Sequence, residues 1–174
     1  MEENKTRFMR AALDEAKQAA LIGEVPIGAV VVHDNKIIGR GHNLREHSNE
    51  AGAHAEMIAI TEANHVLKSW RLIDCDLYVT VEPCPMCSGA LINSQIKTLY
   101  FGARNPKAGT VKSLYELLSD DRFNHQVQVE EGLLAEEATS QMQSFFRTAR
   151  RKRKFLKKQR AGGEKTGNSL NNKL

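Results

Sequence analysis

Two hydrophobic periods alternate along the chain. From Phe8 to Ile22, apolar residues recur at helical spacing (Phe8, Ala12, Ala16, Ala19, Ala20), which predicts a helix. "PIGAVVVH" (26–33) and "KIIGRGHN" (36–43) read as two strands joined by the turn signal Asp34-Asn35. After a loop, "LREHSNEAG" (44–52), "AHAEMIAITEA" (53–63) reads as helix. "DLYVTVEP" (76–83) is a third strand, stopped by Pro83. "MCSGALINS" (86–94) is a helix beginning near Pro85, a residue that suits a first helical position. "IKTLYFGA" (96–103) is a fourth strand, "RNPKAGTVKS" (104–113) a loop, and "QVQVEEG" (126–132) a short fifth strand. A long helix is predicted from Ala135 to about Gln159.

Strands that alternate with helices predict an α/β fold with both faces of the sheet covered. The opening hairpin makes the sheet mixed. The expectation is a three-layer α/β/α architecture around five strands. With no internal repeat and no linker, residues 1–160 are expected to form one domain. The polar, Gly- and Asn-rich stretch 161–174 is expected to be a disordered tail.

Composition adds limits. A chain of 174 residues, 41% hydrophobic and 26% charged, has material for one sizeable core. No apolar run approaches the ~18 residues of a membrane span. The start, "MEENKTRFMR", lacks the apolar stretch of a signal peptide. The expected compartment is therefore the reducing cytoplasm, where three cysteines make a structural disulfide a poor expectation. Charge is unevenly placed. Arg147 to Arg160 holds nine Lys and Arg and no acid, whereas residues 1–146 hold fourteen basic residues against twenty acidic ones. A basic segment of this kind invites a polyanion; a solvated helix end is the plainer alternative.

Cys84 and Cys87 stand three residues apart in "EPCPMC", where a strand ends and a helix begins. Helix N-termini favour thiolate, the form that ligates metal. A redox pair, buried packing thiols and half of a zinc site all compete for this motif. The redox reading is weakened by position, because three strands and two helices come first. The zinc reading needs a further ligand, and "AGAHAEMIAI" supplies His54, 30 residues before Cys84. One His and two Cys are three protein ligands, which is the count of a catalytic zinc site with an open position. Glu56, two residues on, is then placed to move protons as a general acid and base; a Glu favoured by the helix dipole is the bland alternative. His-x-Glu followed by Pro-Cys-x-x-Cys is the known signature of zinc deaminases, TadA-derived enzymes among them. Cys75 reads as a packing thiol.

With "EVPIGAVVV", "GHN", "HAE", "EPCPMCSGALI", "FGARN" and "FFR" in order from Glu24 to Arg147, the chain resembles the cytidine deaminase superfamily. Within it, the chain looks like the bacterial tRNA-specific adenosine deaminases of the TadA type. The resemblance implies hydrolytic conversion of adenosine to inosine at the wobble position of an anticodon stem-loop. It implies one zinc ion per chain, a homodimer and a cytidine-deaminase-like fold. It implies that His54, Cys84 and Cys87 hold zinc and that Glu56 shuttles protons. Asn43 would hydrogen-bond the target base, and Phe145 to Arg147 would lie around the anticodon loop. Two positions depart from the family pattern. Glu50-Ala51-Gly52 stands where the family often has Asp-Pro-Thr, and Asn105 stands where it commonly has Asp near the ribose. An amide can still bond a 2′-hydroxyl, without the charge-assisted strength of a carboxylate. The rival from the same superfamily is a free-base or nucleotide deaminase of the guanine or cytosine type, which has no need of the nine basic residues. A zinc-bearing RNA-binding subunit without catalysis has no need of Glu56.

Overall fold

The computed structural model describes residues 2–163, and side chains as far as residue 159. Helix α1 (Glu2–Leu21) leads into the hairpin β1 (Gly28–His33) and β2 (Lys36–His42). A one-turn helix α2 (Arg45–Ser48) and helix α3 (Ala55–Leu67) follow, then β3 (Asp76–Val81), α4 (Pro85–Asn93) and β4 (Thr98–Ala103). A 3₁₀ turn at Leu117–Ser119 precedes β5 (Gln128–Glu131) and α5 (Ala135–Gly163). Among the described residues, no helix is long and apolar enough to cross a membrane.

The sheet order is β2-β1-β3-β4-β5. β1 runs antiparallel to both β2 and β3, while β3–β4 and β4–β5 are parallel pairs. Four strands therefore point one way and β1 alone is reversed. The expected mixed five-stranded sheet is what forms.

Successive side chains of β1 alternate between the faces. Ala29 and Val31 join Leu77, Val79, Leu99 and Phe101 under α3 and α4, with Ala55, Ala59, Ala63 and Leu91. Val30 and Val32 join Tyr78 and Tyr100 under α1, with Phe8, Met9, Ala12 and Leu13; Ala138 of α5 lies on this side too. Tyr78 and Tyr100 stack with ring centroids 4.4 Å apart. The result is the expected three-layer α/β/α arrangement. Two glycines set the distance between layers. A Cβ at Gly28 would overlap the Ala12 carbonyl of α1, and one at Gly41 the Ala55 carbonyl of α3. The second contact seats the N-terminus of α3 directly on β2.

The elements differ from expectation mainly at their ends. α1 starts at Glu2, six residues before the apolar pattern, with Glu2 and Glu3 in its first turn where the helix dipole favours acids. α2 forms inside the expected loop because the His47 N–H donates to Glu24, a contact across 23 residues that no local signal carries. α3 runs four residues past the expected end and stops at Lys68 in a left-handed conformation.

The chain packs as two units, the second beginning at Gln143 within α5. In the second unit the helix carries Phe145 and Phe146 edge to face, centroids 5.4 Å apart, and an exposed basic run from Arg147. The helix reaches Gly163. The rest of the tail expected to be disordered, 164–174, lies outside the described residues.

Candidate active site

Because β2, β3 and β4 run the same way, their carboxyl ends share one edge of the sheet, where the chain also enters β1. Ligands of open α/β sheets bind at such an edge. Asn43 follows β2, Glu82 to Cys84 follow β3, and Asn105 follows β4. A cavity of about 220 Å³ opens there, lined by Glu24, Asn43, Glu56, Glu82 and Asn105 together with His54 and Cys84. All its lining residues belong to the first unit.

His54 and Cys84 are built the same way. Each is the N-cap of a helix in extended backbone conformation, His54 for α3 and Cys84 for α4, with Pro85 at the start of the latter. Neither side chain makes the backbone hydrogen bond usual at an N-cap. Both turn to each other instead. His54 Nδ1 lies 3.6 Å from Cys84 Sγ and 3.6 Å from Cys87 Sγ, and the two sulfurs are 3.7 Å apart. A tetrahedral ion with bonds of about 2.3 Å to sulfur and about 2.0–2.1 Å to nitrogen spaces S···S by about 3.8 Å and S···N by about 3.6 Å. The three donors stand at those separations, so the donor set fits a metal. Among the described residues it is the one cluster of three such side chains.

The protein groups alone already polarise this cluster. The Cys87 thiol beside it, then the His54 imidazole, pull the Cys84 thiol down to about 4. Cys87 is pushed up, first by the Cys84 thiolate and then by burial. His54 is raised by its bond to Cys84. Glu56, in the first turn of α3, is 3% exposed, and burial raises its carboxyl above the ordinary range. A carboxyl raised toward neutrality can both take and give a proton.

Asn43 is buried, and its Nδ2 donates to Glu24 Oε2 at 3.0 Å. Asn105 is half-buried; its Oδ1 accepts from the amides of Lys107 and Ala108 at 3.3 and 3.2 Å, which leaves its amide nitrogen as the free polar end. Phe145, half-buried, and Arg147, exposed, lie on α5 in the second unit.

Two carboxylates escaped sequence reasoning. Glu24 is 1% exposed and accepts from Asn43 and from the His47 N–H. Glu82 is 2% exposed and accepts five bonds from the 105–113 segment. Burial opposes its charge, but the Ser113 hydroxyl and the amides of Asn105, Lys112 and Ser113 outweigh it and hold the carboxyl low. Both lie inside motifs already singled out, "EVPIGAV" and "EPCPMC", yet an acid next to an apolar run carries no sign of burial.

Fold and site together define a deaminase: the model of the MafB19-like deaminases matches residues 3–150. The chain is 53% identical to the tRNA-specific adenosine deaminase of Streptococcus pyogenes serotype M1, over 89% of this chain and 91% of that protein. It is 49% identical to the Bacillus subtilis tRNA-specific adenosine deaminase, over 87% and 94%. A solved structure from a study of A-to-I editing by tRNA:A34 deaminases superposes with a TM-score of 0.76 at 42% identity, covering 78% of this chain and 99% of that one. The chain belongs to the family of tRNA-specific adenosine deaminases.

Proposed function

We propose that the protein hydrolyses adenosine to inosine at the wobble position, 34, of a tRNA anticodon, with one zinc ion per chain. The observation that carries this reading is the half-identity to tRNA-specific adenosine deaminases over nine-tenths of their length, joined to the His54–Cys84–Cys87 cluster.

His54, Cys84 and Cys87 would hold the zinc, which as a Lewis acid makes water a nucleophile near neutral pH. The wobble adenosine leaves its stack and enters the cavity beside them. Asn43 meets the base with the N–H that Glu24 does not use. The Asn105 amide nitrogen meets the ribose. Glu56 takes the proton of the water that adds to C6 of the purine and passes it to the ring nitrogen. It then takes the proton left on the C6 hydroxyl and gives it to the departing amine, so the C6–N bond breaks as the C6 carbonyl forms, and adenosine and water become inosine and ammonia. The two thiolates offset the charge of the dication, so no further anion is needed.

The Arg147–Arg160 run contributes phosphate contacts, which add affinity and no sequence information. Phe145 and Arg147 act around the anticodon loop. The working form is a homodimer in the cytoplasm, where the substrate is; light scattering of the purified protein gives the mass that checks the first of these.

Comparing free adenosine with an anticodon stem-loop tests the choice of substrate. The stem-loop is deaminated with a far higher kcat/KM. Equal values for the two would place the enzyme among free-nucleoside deaminases.

A further inference from the structure

The Glu82 carboxylate is spent entirely on one irregular segment. Oε2 accepts from the Asn105 N–H at 2.9 Å and from the Ser113 hydroxyl. Oε1 accepts from the amides of Val111, Lys112 and Ser113 at 3.0, 2.6 and 2.8 Å. Only a carboxylate, which accepts at both oxygens and donates at neither, can satisfy this set. Gly109 gives it room, since a Cβ there would overlap the Glu82 carboxyl group.

The same segment is tied to the ligand-bearing turn. Thr110 N–H donates to the Pro83 carbonyl at 3.0 Å, and the Thr110 and Ser88 hydroxyls are 2.9 Å apart in the interior. Ser88 follows Cys87 directly, and Glu82 precedes Cys84 by two residues. One acid thus joins the strand that delivers the cysteines to the segment that delivers Asn105.

Stability alone gives a weak reason for burying this charge, because apolar side chains of similar volume serve a core as well or better. What a carboxylate does here, and an apolar residue does not, is hold several backbone amides of an irregular segment in fixed places. We propose that Glu82 is a positioning residue: it clamps residues 105–113 so that Asn105 stands as a fixed wall of the cavity containing His54, Glu56 and Cys84. It acts through Asn105, because both of its oxygens are taken up by the 105–113 segment. This rests on the functional reading above and adds to it the residue that fixes the Asn105 side of the substrate site.

The test compares the full-length, zinc-loaded protein with Glu82→Gln. Hydrogen exchange is followed at the amides of Asn105, Val111, Lys112 and Ser113, and steady-state deamination is measured on an anticodon stem-loop. Gln turns an N–H toward donors that need an acceptor. Exchange at the four amides speeds up about tenfold or more, and KM rises about tenfold, the worth of one missing charged hydrogen bond. kcat stays within about threefold, since Glu56 and the ligands are untouched. Unchanged exchange overturns the clamp. Faster exchange with unchanged KM makes the clamp a matter of folding only and overturns the positioning role. Should Glu82→Gln not fold, Ser113→Ala removes one donor and keeps the charge satisfied by the other four; both readouts then move the same way by about threefold. No movement in either overturns the proposal. A wild-type protein that leaves the stem-loop unconverted contradicts the functional reading and not the clamp. Stem-loop affinity by fluorescence anisotropy then replaces KM, with the same tenfold loss expected in Glu82→Gln and an unchanged affinity overturning the positioning role.

Discussion

The side-chain amide of Asn43 donates to the carboxylate of Glu24 at 3.0 Å, and both groups are buried. A carboxylate only accepts, so the amide has one orientation. Its second N–H and its carbonyl are left to the cavity. Glu24→Gln removes that constraint, because a Gln can face Asn43 with either end. The expected result is a fall in kcat/KM of about tenfold on the stem-loop, with zinc content unchanged. An unchanged kcat/KM would show that Asn43 needs no such support.

Metal loading must displace protons. With Cys84 at about 4, that thiol is already ionised at pH 7, whereas Cys87 is held protonated and His54 is raised. Zinc needs both thiolates and a neutral imidazole. Calorimetry in buffers of different ionisation enthalpy should therefore find about one to two protons released per zinc at pH 7, from Cys87 and partly from His54. Release rises as pH falls toward the His54 range, since more imidazole is then protonated. Cys87→Ser should lose most of the metal, whereas Cys75→Ser keeps it: Cys75 is buried, and burial pushes its thiol up to about 11. Zinc uptake without proton release would contradict the ligand set.

Glu56→Ala removes the proposed proton carrier and leaves the His54–Cys84–Cys87 cluster intact. It should keep about one zinc per chain and bind the stem-loop as wild type does, while the single-turnover rate falls by ~10²–10⁴ or more. Deamination within a few-fold of wild type would show that another group moves the protons.

The basic run of α5 is tested by salt. Like charges at i,i+4 each cost a helix ~0.2–0.5 kcal/mol, so folding gives little reason for nine of them in fourteen residues. Changing Arg150, Arg151, Arg153 and Lys154 together to Gln should weaken stem-loop binding. The log–log salt slope should flatten by roughly 0.7–0.9 for each phosphate that is no longer neutralised. Affinity and slope both unchanged would leave the run a solvated helix end.

The fold could be read because its signals are local. "PIGAVVVH" and "KIIGRGHN" carry strand periodicity around a two-residue turn, and the sheet contains them as β1 and β2. The gathering of His54 with Cys84 and Cys87 into a cluster that could hold a metal was legible because ligand chemistry needs particular residue types at particular spacing. Glu24 and Glu82 could not. Their roles exist only once strand order brings the entry to β1, the end of β2 and the ends of β3 and β4 to one edge, and an acid's neighbours in sequence say nothing of that. α2 was hidden for the same reason, because the Glu24 bond to His47 N–H comes from another part of the chain.

Zinc-dependent wobble deamination is tested most directly by following inosine at position 34 of tRNAs carrying adenosine there. The purified protein is used as isolated, after chelation, and after zinc is returned. Inosine is expected at the wobble base alone, with loss of the reaction on chelation and its recovery with about one zinc per chain. Conversion that persists in metal-stripped protein would contradict zinc-dependent wobble deamination, as would a zinc-loaded protein that leaves the wobble adenosine untouched.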